Sequence, residues 1–190
     1  MRELIVLASG SPRRSGILRA LGIPFRVAVT GVEEAVIPGE EAGAAAERLA
    51  REKASSVASG PLPVLAADTL VTCAGSILGK PRDAAEAAGM LRLLSGRVHE
   101  VVTGVCLATG ARLLSGVERT AVTFAPLAAA EVEWYVSTGE PLDKAGAYHV
   151  DGGAAAFIEK IEGSPSNVAG LPVRLVLRLA REAGVDLGLP

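Results

Sequence analysis

Asp68 stands inside an apolar run, after Val64-Leu65-Ala66-Ala67 and just ahead of Leu70-Val71. A carboxylate there is costly to bury unless it is paired, holds a metal or takes part in catalysis. A strand-end acid satisfied by a cap or a surface lysine would give the same pattern. Arg13 and Arg14 form a second feature. They follow Ser11-Pro12, which reads as a helix start, with Ser at the N-cap and Pro in first position. The free N–H groups of that turn already carry partial positive charge, so two cations there are locally unfavourable. A bound anion would remove the conflict, and a phosphate fits best; two solvated surface arginines are the alternative. Lys53 sits at helical spacing with Ala46, Leu49, Ala50 and Val57. A lysine on an apolar stripe either snorkels to the rim or points into a cleft. Lys80, between Gly79 and Pro81, and Lys144, in Asp143-Lys144-Ala145-Gly146, are weak signals taken singly, because surface lysines are abundant. His99 and His149 lack metal-ligand spacing, and His99, at a strand start, reads as structural. Gly152-Gly153 is a turn signal and not a dinucleotide fingerprint, since no strand-GxGxxG-helix surrounds it.

Strands and helices in mixture have to hold these residues. Leu4–Ala8 reads as a buried strand and Phe25–Val29 as a second. Between them the Ser11-Pro12 helix has Ile17, Leu18 and Leu21 as its stripe and Gly22 as its stop. Glu41–Ala58 is a long helix, Val64–Cys73 an apolar strand, and Asp83–Leu94 a helix ended by Ser95-Gly96. Glu100–Ala108 and Arg112–Phe124 read as antiparallel strands joined at Thr109-Gly110. Leu127–Thr138 is a helix, Gly139–Gly153 a glycine-rich loop, Ala155–Ile161 a strand and Leu171–Ala183 a closing helix. Crossover helices together with a hairpin predict an α/β or α+β fold on a mixed sheet.

The 190 residues suit one domain, or two small lobes around one sheet, able to bury a core without disulfides or structural metal. Hydrophobic residues make up 49%, yet no apolar run approaches the ~20 needed to span a bilayer. The first strand is too short, and lacks the basic start, for a signal peptide. A cytoplasmic protein is the expectation. Cys73 and Cys106 lie in apolar stretches and read as buried small hydrophobes rather than a disulfide. A net charge of −2 and few aromatic side chains argue against a sequence-independent grip on nucleic acid, and leave small-molecule chemistry favoured.

Longer motifs recur in order along the chain. They are Leu7-Ala8-Ser9-Gly10-Ser11-Pro12-Arg13-Arg14, then Ala67-Asp68-Thr69 with Leu78-Gly79-Lys80-Pro81-Arg82-Asp83. Next come Met90-Leu91, Leu94-Ser95-Gly96, His99 and Thr103-Gly104-Val105. Thr138-Gly139-Glu140-Pro141-Leu142-Asp143-Lys144-Ala145-Gly146-Ala147-Tyr148 and Asn167-Val168-Ala169-Gly170-Leu171-Pro172 complete the set. In this order they resemble the Maf family of nucleoside triphosphate pyrophosphatases over nearly the whole chain. The resemblance implies a single domain over residues 1–190, two-lobed, with a central cleft and a mixed, partly antiparallel sheet like that of inosine triphosphatases. It implies cleavage between the α- and β-phosphates, a divalent metal such as Mg²⁺ or Mn²⁺ and a homodimer; from the charge, aromatic content and apolar runs above, no nucleic-acid or membrane partner is expected. It places Asp68, Lys53 and Lys80 in catalysis. Ser9, Ser11, Arg13, Arg14, Thr69, Lys144 and Asp151 fall on substrate, and Glu34 with Asp68 on the metal. Cleaving a phosphoanhydride requires charge neutralisation and an activated water, which such a set supplies.

Arg13 and Thr69 resemble the branch of the family acting on dTTP and UTP. That branch has Gln where this chain has Asp151 after Tyr148-His149-Val150, whereas the branch acting on 7-methyl-GTP has an acidic Glu there. An amide can donate to a base carbonyl and an ionised carboxylate can only accept. Pyrimidine triphosphates with broadened selectivity are therefore expected. Ser164-Pro165-Ser166 departs from the more usual acidic-aromatic sequence before the Asn. A phosphotransferase would need a GxxxxGK[ST] loop, which is absent. A non-catalytic nucleotide-binding regulator of septum formation would bind triphosphate better without the negative charge of Asp68.

Overall fold

Strand β1 (Ile5–Leu7) carries three buried apolar side chains and is followed by Ser11, whose hydroxyl accepts from the Arg14 N–H and caps α1 (Pro12–Ala20). The computed structural model describes residues 4–58, 60–110 and 112–189. Gly22, at φ +69°, turns the chain out of α1 into β2 (Phe25–Val27), which runs parallel to β1. The Glu41 carboxylate accepts from the N–H groups of Gly43 and Ala44 and starts α2 (Ala42–Val57). β3 (Val64–Cys73) is also parallel to β1 and continues into β4 (Ser76–Leu78), which pairs with it antiparallel. Asp83 caps α3 (Ala84–Leu94); β5 (Val98–Thr109), β6 (Arg112–Phe124) and α4 (Ala129–Ser137) follow. After a run of tight turns come β7 (Ile158–Glu162), antiparallel to β6, then α5 (Pro165–Val168) and α6 (Val173–Ala183). The sheet is mixed, with the hydrogen-bonded order β2-β1-β3-β5-β6-β7 and β4 on β3.

Contacts divide the chain into two compact units, and β3, β5 and β6 each contribute residues to both. The first unit comprises residues 1–68, 103–118 and 170–190. Its core follows the two-residue alternation of a strand. Ile5, Leu7, Leu65, Val105 and Leu107 point to one face and pack with Leu18 of α1 and Leu175, Val176 and Leu179 of α6. Val6, Ala8, Val64, Ala66, Cys106 and Ala108 point to the other and pack with Ala50 and Ala54 of α2. Helix α2 lies close on that face because its contacts are small. A Cβ at Gly104 would fall 2.2 Å from the Ala46 carbonyl oxygen, so only glycine admits this approach. Asp68 shares the parity of Val64 and Ala66, which puts its carboxylate on the α2 side.

The second unit comprises residues 69–102 and 119–169. Its core joins Leu91 and Leu94 of α3 with Val101, Val122, Phe124, Val132, Tyr135, Tyr148 and Phe157. His99, Phe124, Tyr148 and Phe157 form a chain of edge-to-face ring contacts with centroids 4.9–6.2 Å apart.

The elements differ from expectation in four places. β4 was not expected, because its turn is built from Ala74 (φ +49°) and Gly75 (φ +78°) rather than from an Asn-Gly or Asp-Gly pair. The strand expected at Ala155–Ile161 begins only at Ile158; before it, Gly153–Phe157 coils as a 3₁₀ turn that buries Ala154 and Phe157 at a helical spacing of three. The Gly139–Gly153 loop contains two further such turns, Glu140–Asp143 and Ala145–Ala147. Ser164-Pro165-Ser166 opens α5, with the Ser164 hydroxyl accepting from the Asn167 N–H. Cys73 and Cys106 are buried free thiols, and burial pushes Cys106 up to about 11, which leaves it inert near neutrality.

Candidate active site

In the first unit, Lys53 is buried on the inner side of α2 and does not snorkel. Its Nζ lies 2.5 Å from Asp68 Oδ1 and 2.6 Å from Glu34 Oε1. The strand parity that carries Asp68 and the helical stripe that carries Lys53 bring these two together across the β3–α2 packing. Both side chains are nearly inaccessible, at 7% and 5%, while Glu34 is 42% exposed. The cost of placing Asp68 in an apolar strand is thus met by a direct ion pair.

Glu34 comes from the irregular segment between β2 and α2, and sequence reasoning gave no account of what fixes it. Arg48 of α2 ties down the residues that follow Glu34. Its guanidinium donates to both Glu40 oxygens, at 2.8 and 2.7 Å, and to the Ala35 carbonyl at 3.0 Å. The planar fork suits this double contact. An arginine on the partly exposed side of a helix reads as a solvated charge, so no local signal marked it.

The paired arginines at the start of α1 part company. Arg14 is buried; its Nε donates to the Gly170 carbonyl at 2.7 Å and its Nη1 to Ser9 Oγ at 3.0 Å. Burial lowers the guanidinium from its ordinary value, and Asp68 acts in the opposite sense, followed by Arg13 lowering and Glu34 raising it. Arg13 is half-buried. Ser9 Oγ also accepts from the Ser11 N–H at 3.2 Å, so the hydroxyl spends its acceptor capacity inside the loop and keeps its proton for a donor role. Ser9, Ser11, Arg13, Arg14, Glu34, Lys53 and Asp68 all belong to this one unit.

Thr69, Lys80, Lys144 and Asp151 belong to the second unit. Thr69 follows Asp68 on β3 and takes the opposite parity. Lys80 is exposed, and the loop before it is joined to the Lys144 segment by the Gly146 N–H donating to the Gly79 carbonyl at 3.0 Å. The Lys144 ammonium pairs with Asp143. Asp151 is exposed in a turn. His99 is buried with its Nε2 2.9 Å from the Tyr148 hydroxyl, and burial lowers it to about 4 against a weaker opposing pull from the Arg97 carbonyl.

An α/β protein with a buried Asp–Lys pair joined to an exposed Glu, and a capped, arginine-bearing helix start, has the parts for chemistry on an anionic substrate. Residues 4–183 match the family described as "Maf-like protein", and the chain belongs to that family. The "dTTP/UTP pyrophosphatase" of Anaeromyxobacter sp. (strain Fw109-5) is 53% identical over 188 residues, covering 96% of this chain and 91% of its own. Proteins with the same name match from Myxococcus xanthus (strain DK1622), at 50% identity covering 98% and 95%, and Salmonella typhimurium (strain LT2), at 51% covering 89% and 87%. Among solved structures, the Staphylococcus aureus Ham1 protein matches 96% of this chain and 99% of its own with TM-score 0.47 and 15% identity, too slight a likeness to build on. No helix among the described residues is long and apolar enough to cross a membrane.

Proposed function

We propose that this chain hydrolyses nucleoside triphosphates, dTTP and UTP foremost, to the monophosphate and pyrophosphate. The observation that carries the proposal is the Lys53 ammonium held between the Asp68 and Glu34 carboxylates. The names of the relatives at about 50% identity support the reaction and the bases.

A water oxygen attacks the α-phosphorus, and the bond from that phosphorus to the α–β bridging oxygen breaks. Pyrophosphate leaves with the bridging oxygen, and Asp68 accepts the water's proton. Lys53, fixed by its two carboxylates, holds Asp68 in place and offers positive charge to the phosphates. Arg13 adds charge, and the α1 N-terminus with the Ser9 hydroxyl supplies donors; the roles of Lys80 and Lys144 rest on the family resemblance. Arg14 positions Ser9. The donor set also fits a divalent cation. Glu34 and Asp68 are hard oxygen donors that already meet at one cationic point, and Mg²⁺ is commonly held by one or two carboxylates plus substrate phosphates. Among the described residues no group of three or more His, Cys, Asp or Glu is arranged to hold a metal. Mg²⁺ or Mn²⁺ at Glu34 and Asp68 would neutralise phosphate charge and activate water.

Asp151 supports a wider base range than dTTP and UTP alone, because its carboxylate accepts and does not donate. The family resemblance implies a homodimer, which sedimentation of the purified chain tests; the cytoplasm is the location expected from the short apolar runs of the sequence. The deciding assay is pyrophosphate release from dTTP, UTP, CTP, GTP and 7-methyl-GTP with Mg²⁺ or Mn²⁺. Release from pyrimidine triphosphates is expected to lead. Tight nucleotide binding with no release would make the chain a nucleotide-binding regulator instead, and transfer of a phosphoryl group to an acceptor would make it a phosphotransferase.

A further inference from the structure

Asp151 sits third in a turn closed by the Gly152 N–H donating to the His149 carbonyl at 3.1 Å. Both flanks of this turn are tied to the same pair of side chains. On one flank the His149 N–H donates to the Tyr135 hydroxyl at 3.0 Å. On the other the Gly153 N–H donates to the Glu140 carboxylate, at 3.1 Å to Oε1 and 3.3 Å to Oε2. The two anchors are joined, since Tyr135 donates its hydroxyl proton to Glu140 Oε1 at 2.7 Å. Tyr135 is fully buried on α4, so the anchor is rigid. The glycines are there for it. A Cβ at Gly152 would lie 2.2 Å from Glu140 Oε1, and one at Gly153 would lie 3.2 Å from the Tyr135 ring and 3.3 Å from the Trp134 ring. The glycine pair that sequence reading left as a plain turn signal is therefore the socket of a clamp. Asp151, by contrast, is exposed and its side chain makes no hydrogen bond or ion pair among the described residues. A fixed backbone presenting an uncommitted side chain is the arrangement a recognition element needs.

We propose that Tyr135 and Glu140 are positioning residues for base selectivity: they fix the Tyr148–Gly153 turn, so that Asp151 and the local backbone meet the base in one geometry. The inference rests on the reading above, in which the Asp151 carboxylate bears on the choice of base. Loosening the clamp lets the turn accept several bases about equally, with little effect on the cleavage step.

The test uses the full chain and pyrophosphate release, with kcat and KM measured for dTTP, UTP, CTP and GTP in wild type, Tyr135→Phe, Glu140→Gln and Asp151→Gln. In both clamp variants KM for the preferred base is expected to rise about tenfold, the scale on which pocket contacts discriminate. The kcat should stay within about threefold, and the preferred-to-disfavoured kcat/KM ratio should fall toward unity. If Tyr135→Phe fails to fold, Glu140→Gln decides, because it keeps the size and one acceptor. Unchanged ratios in folded clamp variants, with Asp151→Gln shifting the ratio, overturn the clamp and leave the base-reading turn standing. Unchanged ratios in all variants overturn both, as does an equal loss of kcat on every base. Shifted ratios in the clamp variants with none in Asp151→Gln support the clamp and assign base reading to the backbone of the turn. No pyrophosphate from any triphosphate with wild type sinks the hydrolase reading itself, and the clamp with it.

Discussion

Two carboxylates share one ammonium at Lys53, and that arithmetic separates two substitutions that would otherwise look alike. Asp68→Asn leaves Lys53 paired with Glu34, so the fold should hold while turnover falls by about 10²–10⁴-fold, the usual cost of losing a general base. Lys53→Met takes from the buried Asp68 its paired ammonium and leaves it only within the field of Arg14, a loss of up to about 3–5 kcal/mol. Its melting temperature should therefore drop well below that of Asp68→Asn, and its hydrolysis should drop as well. Equal melting temperatures would show that the ion pair does not hold the site. The arginines divide in the same way. Arg14→Ala strands the Gly170 carbonyl and takes from the Ser9 hydroxyl one of its two donors, and thermal denaturation should show a loss of about 1–3 kcal/mol. Arg13→Ala should show a raised KM, since it removes a cation from the helix N-terminus that faces the phosphates. Sequence alone marked Asp68, Lys53 and both arginines as unusual, because each breaks a pattern. It could not divide the arginines, since the partner of Arg14 is a backbone carbonyl more than 150 residues away. Nor could it choose between snorkelling and burial for Lys53, whose acceptors lie on other elements.

Elements decide where those side chains end up, and one of them is not a regular element at all. The segment from β2 to α2 that carries Glu34 is exposed over most of its length and has no ladder to hold it. Arg48 fastens it through Glu40 and Ala35, and Glu40 in turn accepts from the Ile37 N–H at 3.2 Å. Arg48→Met should therefore speed hydrogen exchange at Ile37 and Glu40 and lower turnover, while α2 amides keep their protection. Arg48→Lys should fall between, because an ammonium cannot make the paired contact. Exchange rates at Ile37 and Glu40 equal to wild type would show that the segment is held by something else. Helices and strands with strong periodicity or caps, such as α1, α2, β3 and α3, were legible from the sequence. β4, α5 and the 3₁₀ turn before β7 were not, since each is five residues or fewer and too short to show a hydrophobic period.

For the molecule as a whole, acid should act first through His99. It is buried in the second unit among Phe124 and Tyr148, and its folded value of about 4 lies below the ordinary 6.5. The unfolded chain then binds the proton more readily than the folded one. Stability from this group is complete above about pH 6.5, declines as pH falls toward 4, and is level below that. The full loss is on the order of 3 kcal/mol. Melting temperatures measured from pH 7.5 to 4.5 should show this slope in wild type and a shallower one in His99→Gln, which keeps an acceptor for Tyr148; parallel slopes would remove His99 from the account. The mixed sheet and its balance of helices were legible from alternating hydrophobic periods, and two lobes were expected from length and family resemblance, but not which residues each unit takes, because β3, β5 and β6 each pass from one unit into the other. That division bears on biosynthesis. All residues of the second unit lie before residue 170, whereas the first unit needs Leu175, Val176 and Leu179 to cover Ile5, Leu7 and Leu18. A ribosome thus releases every residue of the second unit while β1, made long before, still lacks its cover. The opening strand must wait, with apolar side chains exposed, for α6 to emerge, and during that interval the nascent chain is most open to chaperones and to aggregation.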